Sequence, residues 1–301
     1  MTVPASPLAA RITSMLQRSV CEEVTEFAHR LARESGAQAV LFYGSNLRTG
    51  SLEGVLDFYV LLPGKQRERI WPRVAYREWA HKGTLLRAKI ATMSLEKFAE
   101  AAGGASRDTT IWTRFVQPSA LVYASDAGTR EMVVDAVAKA AMTAARFAAV
   151  LGPEQGRAAQ YWTALFQATY RAEFRVETPG REASILKADP DHFEDLLTLA
   201  WKADDLPFDQ TNQFLHPRLS AVRKTQLLRG WSRRERLGKP LNIARLAKAT
   251  TTFEGAARYG AWKLERHTGI KLEVTPFREA HPLLAMPGAA WELWRARRAQ
   301  R

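Results

Sequence analysis

The chain has 301 residues, enough for two domains of ordinary size or one large one. Apolar residues make up 46% and charged residues 25%, a globular balance that excludes a wholly disordered chain. Lys and Arg number 44 against 31 Asp and Glu, a formal charge of +13, so we expect anionic partners such as nucleic acid, anionic lipid or phosphorylated small molecules. The single cysteine, Cys21, excludes an internal disulfide and a cysteine-rich zinc site. Without a secretory signal or a long apolar run, we expect a cytoplasmic protein with no spanning helix.

The first part of the sequence predicts strands and helices in alternation. Apolar residues at helical spacing predict one long helix over 7–35, with Cys21 as buried filler. Short apolar runs predict strands at 38–43, 55–62, 84–92 and 119–124. The segments between them predict a loop at 46–54 and helices at 66–81, 94–101 and 109–116.

The rest of the sequence is predominantly helical in pattern. Helices are predicted from about 127 to Gly152 and at 155–172, 190–203, 217–231 and 252–266, with a basic loop at 232–240. Strands among helices followed by runs of helix predict an α+β fold with a mixed sheet. We expect a catalytic domain over 1–178, a mainly helical domain over 179–280, for which a winged helix is one candidate form, and an amphipathic tail over 281–301.

A glycine, a serine and a strand aspartate form the motif that carries chemistry. Gly44 and Ser45 follow the first predicted strand, and Asp57 comes after eleven intervening residues, within the second. Because Gly44 has no Cβ, triphosphate oxygens can approach the backbone N–H groups closely, and Ser45 adds a hydroxyl donor. Asp57 supplies the hard oxygen ligand that Mg2+ prefers. The pattern predicts a site for a nucleoside triphosphate and Mg2+.

This strand–Gly-Ser–strand–Asp order resembles the polymerase-beta-like nucleotidyltransferase superfamily. Most members have two acidic residues, one residue apart, on the second strand. Here the second place is Tyr59. One metal ligand is therefore expected to come from elsewhere, or a single metal ion to bind tightly.

A narrower resemblance covers residues 39–175. The segment AVLFYGSNLRTGSLEGVLDFYVLL is similar to the mitochondrial translocator assembly and maintenance family of phosphatidate cytidylyltransferases, which has a Tyr-Gly-Ser turn and a single aspartate in Leu-Asp-Phe. Segments 83–98, 110–126 and 170–177 resemble that family in the same order, and 254–269 resembles a C-terminal segment of it. The resemblance implies joining CTP to phosphatidic acid, with Mg2+, to give CDP-diacylglycerol and pyrophosphate.

Several further residues become site candidates. Arg87 and Lys89 alternate on one face of a predicted strand and are expected to clamp phosphate groups in catalysis. Arg171 and Arg175 bracket Glu173, so the two arginines are candidates for binding phosphate and Glu173 for a second metal ligand; a surface ion pair is the equally plausible alternative. The resemblance also implies a nucleotide-binding role for Lys263.

The C-terminal tail joins tryptophans to arginines. This composition is typical of a helix lying in a membrane interface, although a helix packed on its own domain remains open. The resemblance favours docking on an anionic membrane, peripheral on its inner face. The residues concerned are Trp291, Leu293, Trp294, Arg295, Arg297, Arg298 and Arg301.

Two other functions remain open at this point. A nucleotidyltransferase acting on RNA or a small molecule would suit the charge, but it is expected to carry paired carboxylates. A degenerate, non-catalytic module binding nucleic acid or membrane would suit the lone aspartate, but it has no need of Gly44-Ser45. The leading hypothesis remains the lipid enzyme, with no nucleic acid expected as a partner.

Overall fold

The computed structural model describes residues 6–173, 181–252, 254–270 and 272–280, together with 288, 291, 292 and 298. Its elements in chain order are α1 (Pro7–Leu16), α2 (Glu22–Ser35), β1 (Ala39–Tyr43), α3 (Ser45–Thr49), β2 (Leu56–Leu62), β3 (Arg73–His81), β4 (Thr84–Ser94), α4 (Leu95–Ala102), α5 (Thr110–Phe115), β5 (Ser119–Ala124), α6 (Ala127–Leu151), α7 (Ala158–Glu173), α8 (Arg181–Ala188), α9 (Pro190–Ala203), β6 (Phe208–Thr211), β7 (Phe214–Pro217), α10 (Ala221–Thr252), α11 (Ala256–Thr268) and α12 (Pro276–Ala280).

A five-stranded mixed sheet in the order β3-β4-β2-β1-β5 organises the first half of the chain. β2 and β4 run parallel, and the other neighbouring pairs run antiparallel. The predicted α+β class with a mixed sheet is confirmed. A separate two-stranded hairpin, β6–β7, follows α9.

Apolar side chains cover both faces of the sheet, because alternate residues of a strand point to opposite faces. On one face, Val40, Phe42 and Phe58 pack against Phe27 and Leu31 of α2. The other face belongs to a larger cluster, built from Leu41, Tyr59 and Leu61 of the strands and from residues of α1, α4, α5, α6, α7 and α9.

The larger core continues into the second half of the chain. Phe193 and Trp201 of α9 and Trp231 of α10 are buried in the same apolar cluster as the sheet residues. The expected division at residue 178, and the winged-helix form for the part after it, remain predictions. Among the described residues, no helix combines the length and apolar character needed to cross a membrane.

The long first helix predicted over 7–35 is wrong. The structure has α1 and α2 with a break at 17–21, and α2 begins with Glu22 and Glu23 in its first turn. Acidic residues in the first turn of a helix are favourable, because they offset the partial positive charge of its N-terminus. These two glutamates therefore indicate a helix start at 22, although the apolar spacing continues across the break. Cys21 is the exposed residue preceding α2, not buried filler.

The helix predicted over 66–81 is also wrong, because 73–81 form strand β3. A two-residue turn at Lys82-Gly83 joins β3 to β4, and both residues have positive φ, 47° and 80°. Two successive positive φ values match the twist of an antiparallel pair, so this turn favours a hairpin. The loop predicted over 46–54 contains the short helix α3.

The basic loop predicted over 232–240 is wrong as well, because α10 runs through it without a break. Gly238 faces α7: a Cβ at this position would lie 2.3 Å from the Ala172 carbonyl oxygen. Trp231 is only 5% exposed on the same side of the helix. Tertiary packing therefore overrides the low helix propensity of Gly238 and Pro240.

Substitution of Gly238 tests whether α10 packs this closely on α7. Gly238→Ala should lower the free energy of unfolding by about 1–3 kcal/mol, because the new methyl group overlaps backbone. Gly230→Ala in the same helix is the control; its Cβ meets only the Arg234 Nη1 at 3.5 Å. That change should raise stability by up to about 1 kcal/mol. Urea unfolding measures both, and equal effects would contradict the close packing.

Candidate functional site

A row of polar and aromatic side chains crosses the middle of the sheet on one face. Tyr43 of β1 pairs with Asp57 of β2, Asp57 pairs with Lys89 of β4, and Lys89 pairs with Tyr76 of β3. Directly paired residues on neighbouring strands share a face. Lys89 is therefore the cationic neighbour of Asp57 across the parallel pair.

The Gly44 backbone lies directly against the Asp57 carboxylate. A Cβ on Gly44 would stand 2.8 Å from Asp57 Oδ2. Gly44 has φ 92° and ψ −162°, a region that is essentially restricted to glycine. Gly44 and Ser45 lie thirteen and twelve residues before Asp57 in the sequence. The fold nevertheless brings the turn and the aspartate together in one site. Asp57 is the second residue of β2, and its side chain is partly exposed rather than buried.

Asn46, which the sequence did not single out, shapes the loop beside this site. Its side chain is 7% exposed, and its Nδ2 donates to the carbonyl oxygens of Ser51 and Glu53 at 2.7 and 2.8 Å. Ser45 is exposed and makes a 3.4 Å contact from its hydroxyl to Asn46 Oδ1. These bonds hold the 46–54 segment folded back on itself, directly after the Gly44 turn.

Arg87 lies two residues from Lys89 on the same face of β4. Its Nε is 3.6 Å from Glu78 Oε1, and its guanidinium stands 5.8 Å from the centre of the Trp262 ring. Arg87 is thus shared between a carboxylate of β3 and an aromatic residue of α11. Both contacts orient its charge at the edge of the row.

Arg114 of α5 is a site residue that the sequence reading missed. Its guanidinium lies 5.3 Å from the Tyr43 ring centre and 6.0 Å from that of Tyr59. Burial alone would lower its pKa, but the surrounding Tyr43, Tyr59, Glu173 and Asp57 outweigh burial and raise the pKa. Arg114 therefore remains a fixed positive charge within the electrostatic reach of Asp57 and Glu173. An arginine among Trp, Thr, Phe and Val in α5 was the only signal for it.

Tyr59, at the place of a second acidic residue, belongs to the core. Its side chain is 0% exposed, and its ring packs against Phe98 and Phe115 with centroids 6.0 and 5.2 Å away. Desolvation by burial raises the pKa of its hydroxyl. A neutral, enclosed phenol is a poor ligand for a hard cation.

The candidate residues on α7 separate in the structure. Glu173 is 3% exposed, and its Oε1 accepts a hydrogen bond from Thr109 Oγ1. Arg171 is exposed; residues two apart in a helix differ by roughly 200° in direction, so it does not share the face of Glu173. Arg175 lies outside the described residues. The clamp of Arg171 and Arg175 around Glu173 stays a prediction.

The second half of α10 is bonded to the end of α7 and to the segment that precedes α5. Asn242 donates to the Glu173 carbonyl oxygen. Arg245 bonds Asp108 at 2.7 Å and the Trp71 carbonyl oxygen at 3.0 Å. Asp108 is only 6% exposed, so this ion pair is well shielded from water. Residues distant in sequence thereby hold α5 and the end of α7 together.

Helix α11 lies beside the row. The Tyr259 ring is 5.5 Å from that of Tyr76, and burial, followed by the charge of Asp57, raises the pKa of Tyr259. Trp262 stacks on Tyr259 at 6.2 Å. Lys263 is the next residue and is exposed. The helix carrying Lys263 is therefore near the site, and the nucleotide-binding role of Lys263 stays a prediction.

The oxygen donors at the site suit Mg2+. In nucleotide enzymes Mg2+ is bound by one or two carboxylates together with substrate phosphates and water. Asp57 offers such a carboxylate beside the Gly44 turn, and Glu173 is the second acidic group that acts on Arg114. Within the described ranges, no group of three or more His, Cys, Asp or Glu side chains is arranged to hold a metal ion. A metal ion held here would be shared with the substrate's phosphates.

Comparisons of the sequence with protein-family models and with curated proteins find no match.

Substitution of Gly44 tests the contact with Asp57. Gly44→Ala should lower the free energy of unfolding by roughly 2–4 kcal/mol, because alanine meets both the strained backbone and the carboxylate. Gly50→Ala is the control: Gly50 has φ 69° with nothing within 4 Å of a Cβ, so only the left-handed backbone cost of about 1–2 kcal/mol applies.

Both variants are measured by urea unfolding and by binding of CTP with Mg2+. We expect Gly44→Ala to lose nucleotide binding and Gly50→Ala to retain it. Equal losses of stability and binding would show that the Asp57 contact is unimportant.

Proposed function

We propose that this protein is a nucleotidyltransferase that joins CTP to phosphatidic acid, giving CDP-diacylglycerol and pyrophosphate, a step of phospholipid biosynthesis. The observation that carries nucleotidyl transfer is the contact of the Gly44 backbone with the Asp57 carboxylate, with Lys89 on the adjoining strand. The choice of CTP and phosphatidic acid rests on the sequence resemblance to phosphatidate cytidylyltransferases.

On the nucleotide side, the turn binds the triphosphate. The absence of a side chain at Gly44 lets phosphate oxygens approach the backbone, and the exposed Ser45 hydroxyl donates to a β- or γ-phosphate oxygen. Asp57 would hold Mg2+, and that ion would supply positive charge to offset the triphosphate. Lys89 stands next to Asp57 and attracts the phosphates without competing for the metal ion.

The acceptor brings its own nucleophile. A phosphate monoester oxygen of phosphatidic acid attacks the α-phosphorus of CTP; a new P–O bond forms, and the bond to the β-phosphate oxygen breaks as pyrophosphate leaves. That oxygen is ionised near neutral pH, so no general base is needed. The protein has to bring two anions together. Lys89 and Arg87, on one face of β4, offset the repulsion between them.

Arg114 and Glu173 contribute charges close to this arrangement. Arg114 adds a fixed positive charge near Asp57, which offsets part of the negative charge of the site. Glu173 balances Arg114 and is the candidate for a second metal ligand. The rings of Tyr43 and Tyr59 both contact the guanidinium, 5.3 and 6.0 Å from their centres.

Pyrophosphate release tests the proposal. The wild-type protein should release pyrophosphate from CTP with Mg2+ only when phosphatidic acid vesicles are present. Asp57→Asn should lower the rate by roughly 10²–10³-fold, because the substitution removes the metal-binding charge but keeps the shape. Asp209→Asn, an exposed aspartate of the β6–β7 hairpin, is the matched control and should keep the wild-type rate.

Other outcomes would overturn the proposal in different ways. Release that requires RNA or a small-molecule acceptor, with Asp57 still essential, would keep nucleotidyl transfer and replace the lipid. No release from any of the four ribonucleoside triphosphates would remove the catalytic reading and favour a binding module.

A conservative change at Arg114 tests its planar shape apart from its charge. Arg114→Lys keeps the charge but loses the planar group that contacts the rings of Tyr43 and Tyr59, so we expect kcat to fall by about 10–100-fold with a smaller change in KM. Arg107→Lys, an exposed arginine before α5, is the control. Steady-state kinetics and thermal unfolding are both measured; unchanged kcat in Arg114→Lys would contradict a positioning role.

A further inference from the structure

Helix α10 has one face fixed against the protein. Trp231 is buried in the core, and Arg234 donates to the carbonyl oxygens of Gly104 and Ser106. Gly238 touches Ala172 of α7. These inward contacts recur every three to four residues, so they define one side of the helix and leave the opposite side outward.

The outward side carries arginines between two aliphatic residues. Val222, Arg229, Arg236 and Ile243 are spaced seven residues apart, which changes direction by only about 20° at each step, and Arg233 falls between them. All five are exposed; Val222 is 67% and Ile243 61% exposed. We call these five residues the α10 stripe.

The α10 stripe has little opposing charge. Glu235 is the only acidic residue from 221 to 252, and its helical position is about 100° or more from those of Arg229, Arg233 and Arg236. In the described part of the chain, none of these three arginines forms an ion pair with a carboxylate. The stripe therefore presents a continuous positive potential to solvent.

The mixture of side chains favours a lipid surface over nucleic acid. Arginines pair with the phosphates of either partner. The exposed Val222 and Ile243 gain only from a partner that removes them from water, and the headgroup boundary of a bilayer does so. Phosphates and sugars of a nucleic acid offer no such environment along a straight 21-residue stretch.

We propose that the α10 stripe docks the protein on an anionic lipid surface. This surface is separate from the C-terminal tail, and its use for substrate delivery rests on the proposed lipid activity. Arg245 follows Arg236 by nine residues, a rise of about 14 Å along the helix. It bonds Asp108, which lies just before α5, the helix that carries Arg114. The docked helix is thus directly connected to the candidate site.

Vesicle flotation of the full chain tests the stripe. The triple variant R229Q/R233Q/R236Q should bind phosphatidylcholine vesicles containing roughly one third phosphatidylglycerol at least about tenfold more weakly than the wild type. The control R33Q/R130Q/K202Q removes the same three charges from exposed positions elsewhere and should bind like the wild type. V222S/I243S should weaken binding without changing net charge, and circular dichroism checks that all variants are folded.

The outcomes are distinct. Equal losses in both triple variants would mean that only net charge matters and would overturn the stripe. Weakened binding to a single-stranded RNA oligonucleotide with unchanged vesicle binding would overturn the lipid assignment. Flotation measures binding without turnover, so its result for the α10 stripe remains valid even if the proposed reaction is not observed. Conversely, the stripe variant should keep wild-type pyrophosphate release with a soluble, short-chain phosphatidic acid.

Discussion

The close approach of the Gly44 backbone to the Asp57 carboxylate is the constraint on which the site depends. No other residue can occupy a backbone with φ 92° and ψ −162° while leaving room for Asp57 Oδ2. The antiparallel pairing of β1 with β2 fixes the distance, since Tyr43 and Asp57 are direct partners. A backbone donor surface and the carboxylate proposed to bind Mg2+ are thereby held together before any ligand binds.

Charge balance is the second requirement of this arrangement. The Asp57 carboxylate, the buried Glu173 and the phosphate groups of the proposed substrates would repel one another without compensation. Lys89 lies beside Asp57, and Arg114 carries a positive charge that both Asp57 and Glu173 influence, with its guanidinium near two tyrosine rings. Because these cations are partly or wholly desolvated, their interactions with phosphate are stronger than those of the many exposed arginines.

The C-terminal third completes the site from outside the sheet. Asn242 and Arg245 of α10 fasten the end of α7 and the start of α5, and α11 brings Tyr259 and Trp262 against the polar row. The same α10 turns an arginine face to solvent. One helix therefore links the floor of the site to the surface proposed to meet lipid, and changes on either face are expected to act through a common rigid element.

The sequence by itself determined the strand–turn–strand unit around Gly44, Ser45 and Asp57, and the shared face of Arg87 and Lys89. Those features depend on local rules: the two-residue period of a strand and the unique backbone freedom of glycine. Local patterns failed at 66–81 and 232–240, where a two-residue turn and the packing of Gly238 on Ala172 outweigh propensity.

Only the tertiary structure decided that Arg114 lies near Tyr43 and Asp57, that Tyr59 is part of the core, and that α10 and α11 pack near the site. These placements join residues separated by about 50 to 200 positions, and their free energies come from desolvation and packing that no local pattern encodes.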